Sequence, residues 1–157
     1  MSNSEIITKL IEQNISIATA ESCTGGSLGK IITSVPGASG IYGYGFITYA
    51  NEAKEKLLGV PHEVLQSVGA VSSETALSMA EGARRVSGSD IGVSTTGIAG
   101  PGGGTEEKPV GTVFVAVVYG EREDVQLAPV RRKWSDRGYT RHTSASFALS
   151  RVLKMIK

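Results

Sequence analysis

Ser22 and Cys23 stand side by side in the stretch 18–26, ATAESCTGG. A β-branched run, Ile15-Ser16-Ile17-Ala18-Thr19, leads into it, and Gly25-Gly26 and a helix-like segment follow. That order reads as strand, tight turn and helix start. A hydroxyl or thiol in such a turn lies beside backbone N–H groups that have no partner inside the helix. The chemistry this permits is acyl transfer, with a nucleophile next to donors able to hold an oxyanion. A serine at a helix start is more commonly only a cap. The buried strand before Ser22 and the bare glycines after it favour the chemical reading. Ala20 and Thr24 occupy the glycine positions of a G-x-S-x-G elbow, and Gly25 the lysine position of S-x-x-K, so neither motif is present. Cys23 is the rival nucleophile. A lone cysteine is commonly a small buried filler, and a cysteine nucleophile normally needs a histidine. Only His62 and His142 exist, neither in a recognisable motif, so Ser22 ranks first.

Three further clusters carry chemistry. Thr48-Tyr49-Ala50-Asn51-Glu52-Ala53-Lys54 places a lysine in the first turn of a helix capped by Asn51. The electropositive helix start, and partial burial, would both lower its pKa. A neutral Lys54 can take the proton of a serine hydroxyl, with Tyr49 relaying it or donating to the developing charge. Most lysines are instead solvated. The Tyr-to-Lys spacing misses the Tyr-x-x-x-Lys of hydride-transfer enzymes by one residue. The long loop from Thr96-Gly97 through Gly100 and Gly102 to Thr112 joins two strands. It is neither a P-loop nor a G-x-G-x-x-G fingerprint. It reads as backbone N–H groups closing over a polar ligand, or as a plain hairpin tip. Arg137 and Arg141, four apart at the start of the last helix, share a face and suit an anion there. A solvated face accounts for them equally well.

The elements that must position these groups follow from periodicity. Helices are expected over 4–13, over 24–33, between a cap at Asn51 and Gly59, over 61–66, after a cap at Ser72 or Ser73 with Ala76, Met79, Ala80, Ala83 and Val86 on one face, and over 136–157 with Ala145, Ala148, Leu149, Val152 and Ile156 inward. Strands are expected over 15–19, 41–49, 90–96, 110–119 and, at an edge, 124–133. Early alternation followed by consecutive strands favours a three-layer α/β/α sandwich on a mixed, mostly parallel sheet. The 157 residues suit one domain spanning 1–157. The formal net charge of +1 gives no reason to expect nucleic acid or a membrane as partner. No apolar run reaches membrane-span length, and no signal peptide opens the chain. One cysteine excludes an internal disulfide and a cysteine-based zinc cluster, and a reducing cytoplasm is the default.

Taken together, ATAESCTGG, GFITYANEAK, LLGV, GAVS, GIAGPGGG and KPVGTV resemble the C-terminal domain of the CinA (competence/damage-inducible) family, over nearly the whole chain. Stand-alone members of that family are nicotinamide-nucleotide amidases. The resemblance implies a five-stranded mixed sheet. It implies hydrolysis of the carboxamide of nicotinamide mononucleotide to nicotinate mononucleotide and ammonia. It also implies Ser22 as nucleophile with Tyr49 and Lys54 as partners, no cofactor or metal, and a homodimer or higher homo-oligomer. Substrate contacts are expected from Cys23, Thr24, Gly25, Gly26, Asn51, Gly97, Gly100, Gly102, Arg137 and Arg141. The other class of reading is a nucleotide-sensing domain that keeps the pocket without turnover. Ser135 stands where the family pattern leads one to expect glycine, which bears only on the local turn.

Overall fold

The computed structural model describes residues 1–131 and 136–157. Five strands form one sheet: β1 (Ile17–Glu21), β2 (Tyr44–Ile47), β3 (Ile91–Gly97), β4 (Val113–Tyr119) and β5 (Arg122–Leu127), in the order β2-β1-β3-β4-β5. β1 pairs in parallel with both β2 and β3, while β3–β4 and β4–β5 are antiparallel. By direction four of the five strands point one way. By pairing the sheet is evenly mixed, not mostly parallel. The tight turn at Gly120 (φ 62°) folds β5 straight back on β4 and starts it two residues earlier than expected. The far end of the expected edge strand, and Ser135, lie outside the described residues.

Helices cover both faces. α1 (Asn3–Glu12), α2 (Ser27–Thr33) and α6 (Arg137–Met155) share a core with Ile17, Ile91, Val93, Val113, Val115 and Val117. α3 (Asn51–Leu58), α4 (His62–Ser67) and α5 (Ser73–Ser87) contribute to the smaller clusters on the other face, with Ala18, Ala20, Ala116 and Val118. The two sets alternate along each strand, as the two-residue period of a strand requires. Each fully buried Leu, Ile or Val contributes roughly 1.5–3 kcal/mol of transfer free energy. Val86 on α5 is exposed, and at the end of α6 Met155 is buried while Ile156 is only partly buried against the core. Among the described residues no helix is long and apolar enough to cross a membrane.

Two boundary shifts matter for the site. β1 begins later and runs further than expected, to Glu21. Asn14 (φ 52°) and Ile15, whose N–H bonds the Leu10 carbonyl, complete the end of α1, and β2 and β3 flank the strand to its last residue. α2 begins at Ser27, not at Thr24. Gly25 and Gly26 have φ of 56° and 101°, a left-handed conformation no α-helix tolerates. Ser22 therefore sits in a five-residue turn ahead of the helix, rather than at its N-terminus.

Candidate active site

The strand period assigns β1 side chains to opposite layers. Ile17, Thr19 and Glu21 point toward α1, α2 and α6, and Ala18 and Ala20 toward α3–α5. Continued by one residue, the same alternation sends Ser22 to the α3 side. Lys54 reaches it from α3. Its Nζ donates to Ser22 Oγ at 3.1 Å and to the Thr48 carbonyl at 2.8 Å. The Tyr49 carbonyl lies at 3.5 Å, the limit of hydrogen-bond reach. Lys54 is only 1% exposed and is among the largest fully buried side chains. Burial pushes its pKa below the ordinary lysine value, with the Cys23 thiol acting weakly the other way. The helix cap is Ala50, not Asn51, which places Lys54 at the fourth helical position and Asn51 at the first.

The pair lies in a cavity of about 230 Å³ lined by Ser22, Cys23, Tyr49, Asn51, Lys54, Ala70, Val71, Thr96, Gly97 and Ala99. In the turn itself, the Gly25 N–H is taken by the Ser22 carbonyl at 3.0 Å. Among the described residues, the N–H groups of Thr24 and Gly26 have no hydrogen-bond acceptor, and that of Cys23 meets only its own sulfur. These are the donors available to an oxyanion. Cys23 is buried, and burial first, with the Glu21 charge adding to it, pushes its thiol up to about 12. A thiol so placed carries no appreciable thiolate at neutral pH, which favours Ser22 as the nucleophile.

Other expected site residues take different stations. Tyr49 is 61% exposed, and its hydroxyl accepts from Arg137 Nη2 at 2.9 Å instead of bridging Ser22 and Lys54. That hydroxyl is engaged by Arg137, while Tyr49 still lines the Ser22–Lys54 cavity. Arg137 Nη1 also donates to the Gly100 carbonyl at 2.8 Å. Arg141 donates from Nε (3.3 Å) and Nη2 (3.0 Å) to the Thr24 carbonyl, and packs over Gly25 where a Cβ would come within 2.9 Å of Nη2. Both guanidiniums thus reach the Ser22 turn or the glycine-rich loop of their own chain. Arg141 further borders a groove of about 590 Å³ between α2 and α6, with Lys30, His142 and no acidic residue in its lining. Gly97 lines the Ser22–Lys54 cavity, whereas Gly102 faces open space. The loop is tied down at a second point by Lys108 Nζ, which donates to the Val68 carbonyl at 3.0 Å.

Glu21 was not among the expected site residues. Its carboxylate is 1% exposed and accepts from Thr24 Oγ1 (2.6 Å), Leu28 N (2.9 Å) and Gly29 N (3.0 Å). The first-turn donors of α2 are therefore already occupied. The available signal is an acid at the end of an apolar strand, one residue before Ser22. Among the described residues no three His, Cys, Asp or Glu side chains gather to hold a metal ion.

The CinA C-terminal domain pattern matches residues 1–156. The chain belongs to the CinA C-terminal domain family. A CinA-like protein of Desulfovibrio desulfuricans is 51% identical over 144 residues, which is 92% of this chain and 34% of that protein. A putative competence-damage inducible protein of Clostridium novyi is 59% identical over 114 residues, 72% of this chain and 28% of its own length. This CinA domain thus spans about a third of the length of the curated relatives it matches. Among solved structures, the competence/damage inducible protein CihA of Agrobacterium tumefaciens superposes with a TM-score of 0.93 at 38% identity, covering 99% of this chain and 93% of that one. A CinA superfamily protein of Escherichia coli gives 0.90 at 31% identity, covering 98% and 87%. The five-stranded mixed sheet with helices on both faces is the fold of these CinA superfamily structures.

Proposed function

We propose that this CinA domain is an amide hydrolase acting on the carboxamide of nicotinamide mononucleotide through Ser22 and Lys54. The observation that carries the reading is the buried Lys54 Nζ at 3.1 Å from Ser22 Oγ. Once neutral, the amine can spend its two N–H groups on the Thr48 and Tyr49 carbonyls, leaving its lone pair for the Ser22 proton. Ser22 Oγ attacks the carboxamide carbon as Lys54 takes the proton. The oxyanion is held by the N–H groups of Cys23, Thr24 and Gly26. Collapse breaks the C–N bond, and Lys54 returns its proton to the departing ammonia. Water, deprotonated by Lys54, then cleaves the acyl-serine, and Ser22 regains its proton.

The pyridine nucleotide as substrate comes from the family resemblance. The acid-free groove beside Lys30, Arg141 and His142 is compatible with the phosphate end of such a ligand. Incubation of the purified chain with nicotinamide mononucleotide should release ammonia and nicotinate mononucleotide in equal amounts. No release above that of a Ser22→Ala control would refute the reading.

A further inference from the structure

We infer that Glu21 is the positioning residue of the nucleophile turn: a buried carboxylate that clamps the turn from the face opposite Lys54 and so holds Ser22 Oγ at its base. The inference rests on the reading of Ser22 as nucleophile. Consecutive residues at the end of β1 face opposite layers, so Glu21 and Ser22 act on the two sides of one peptide plane. The backbone at this point is already pinned to the sheet, with Thr48 N donating to the Glu21 carbonyl at 2.8 Å and Ser22 N to the Thr95 carbonyl at 3.0 Å. The turn 23–26 contains two left-handed glycines and is held on its outer side by Arg141 on the Thr24 carbonyl, which leaves its inner side free to swing.

Glu21 removes that freedom. Its Oε1 accepts both the Thr24 hydroxyl and the Leu28 N–H, one from the middle of the turn and one from the helix beyond it. Oε2 accepts the Gly29 N–H. A single carboxylate therefore ties together the two ends of the flexible segment. Thr24 Oγ1 also lies 2.7 Å from Thr95 Oγ1, which extends the clamp to β3. Gly29 makes room for the neighbouring Tyr42 hydroxyl, 2.8 Å from where a Cβ would stand, while Glu21 Oε2 would lie at an ordinary contact distance of 3.5 Å. Among the described residues the carboxylate forms no salt bridge, so helix N–H groups and one hydroxyl carry its charge. With the α2 donors occupied, the oxyanion is left to the N–H groups of the turn itself, whose direction the clamp sets.

Displacement of a nucleophile by ~1 Å can cost about 10²-fold in rate without weakening binding. In Glu21→Gln the side-chain NH₂ replaces one acceptor and faces a backbone donor. Turnover number should fall roughly ten- to hundredfold, with KM for the mononucleotide within about twofold. Covalent labelling of Ser22 by a fluorophosphonate should slow by the same factor. The pH limb set by Lys54 should stay in place. Thr24→Val should reproduce this phenotype and Thr24→Ser should restore wild-type values, each in chain shown folded by circular dichroism at the assay temperature. A folded Glu21→Gln or Thr24→Val chain with unchanged turnover and labelling overturns the inference, as does a rise in KM at constant turnover number. If Glu21→Gln fails to fold, the Thr24 pair decides. The labelling arm separates the two failures. A wild-type chain labelled at Ser22 but inert toward the mononucleotide refutes the proposed substrate, while the labelling ratio still tests the clamp.

Discussion

Replacing Lys54 by Met tests the catalytic reading and the physical state of the lysine together. Met keeps the stem and removes the titrating nitrogen. A general base contributes about 10²–10⁴-fold, equivalent to roughly 2.7–5.4 kcal/mol of barrier, and the loss should appear in turnover number with little change in KM. Stability carries a second signature. The Thr48 carbonyl loses its 2.8 Å donor, and a bare buried acceptor costs about 1–3 kcal/mol. Against this, the mutant no longer buries a cation. The pH dependence separates the terms. Below the folded-state pKa both folded and unfolded chains hold the proton, and wild type bears the whole cost of a buried charge. As pH rises through that depressed pKa toward the ordinary 10.5, the folded chain gives up its proton first. Wild-type stability then climbs, with a limiting slope of about 1.4 kcal/mol per pH unit, and levels off above the unfolded pKa. Lys54→Met lacks the climb. Urea unfolding of both chains at a series of pH values gives the difference, and kcat/KM of wild type gives the rate limb. The same nitrogen governs both, so the two inflections must coincide. A stability difference that stays flat across the rate limb would refute the assignment of Lys54 as the base.

Ser22→Ala should abolish turnover and fluorophosphonate labelling while the chain keeps its affinity for the mononucleotide; the lost hydrogen bond to Lys54 costs about 0.5–1.5 kcal/mol of stability. Comparable ammonia release by this variant and wild type would remove Ser22 from the mechanism. Cys23→Ala should retain most activity, and iodoacetamide at neutral pH should leave the enzyme active, because a thiol pushed up to about 12 is protonated there; rapid alkylation with loss of activity would exchange the two roles. Arg137→Ala and Arg141→Ala should each raise KM for the mononucleotide by roughly ten- to hundredfold, the worth of about 1.5–3 kcal/mol for a charged hydrogen bond, without altering use of the riboside. Equal losses on both substrates would mean that these arginines serve only to hold Gly100, Tyr49 and Thr24.

The Ser22–Lys54 pair was legible because its signals are local: a β-branched run ending in small residues, and a lysine one turn into a helix. The layers and the sheet's mixed character followed from the order of helical and strand periods. What sequence spacing does not contain is side-chain direction. Tyr49 and Lys54 lie in one short segment, yet Lys54 turns into the cavity and the Tyr49 hydroxyl turns out to Arg137, 88 residues away. Glu21 carries no such local signal, because acids at strand ends are ordinarily solvated. Only the register of β1 between β2 and β3 reveals that this one is enclosed. The start of α2 was misplaced for a related reason. The residues 24–26 have helical neighbours, but the positive φ of two successive glycines belongs to a turn that three-dimensional contacts select.

The Arg141–Thr24 contact has a consequence for the order in which the chain becomes competent. It joins residues 117 positions apart, and synthesis runs from the N-terminus. Ser22 and Lys54, only 32 positions apart, can meet while much of the chain is still unmade. The outer side of their turn must wait for α6. A nascent chain holding everything up to β5 lacks both the α6 share of the sheet core and the brace on the Thr24 carbonyl. Closing so long a loop is slow compared with local helix formation. In refolding, native sheet signals should return before catalysis does. Recovery of the proposed activity would then date the docking of the final helix.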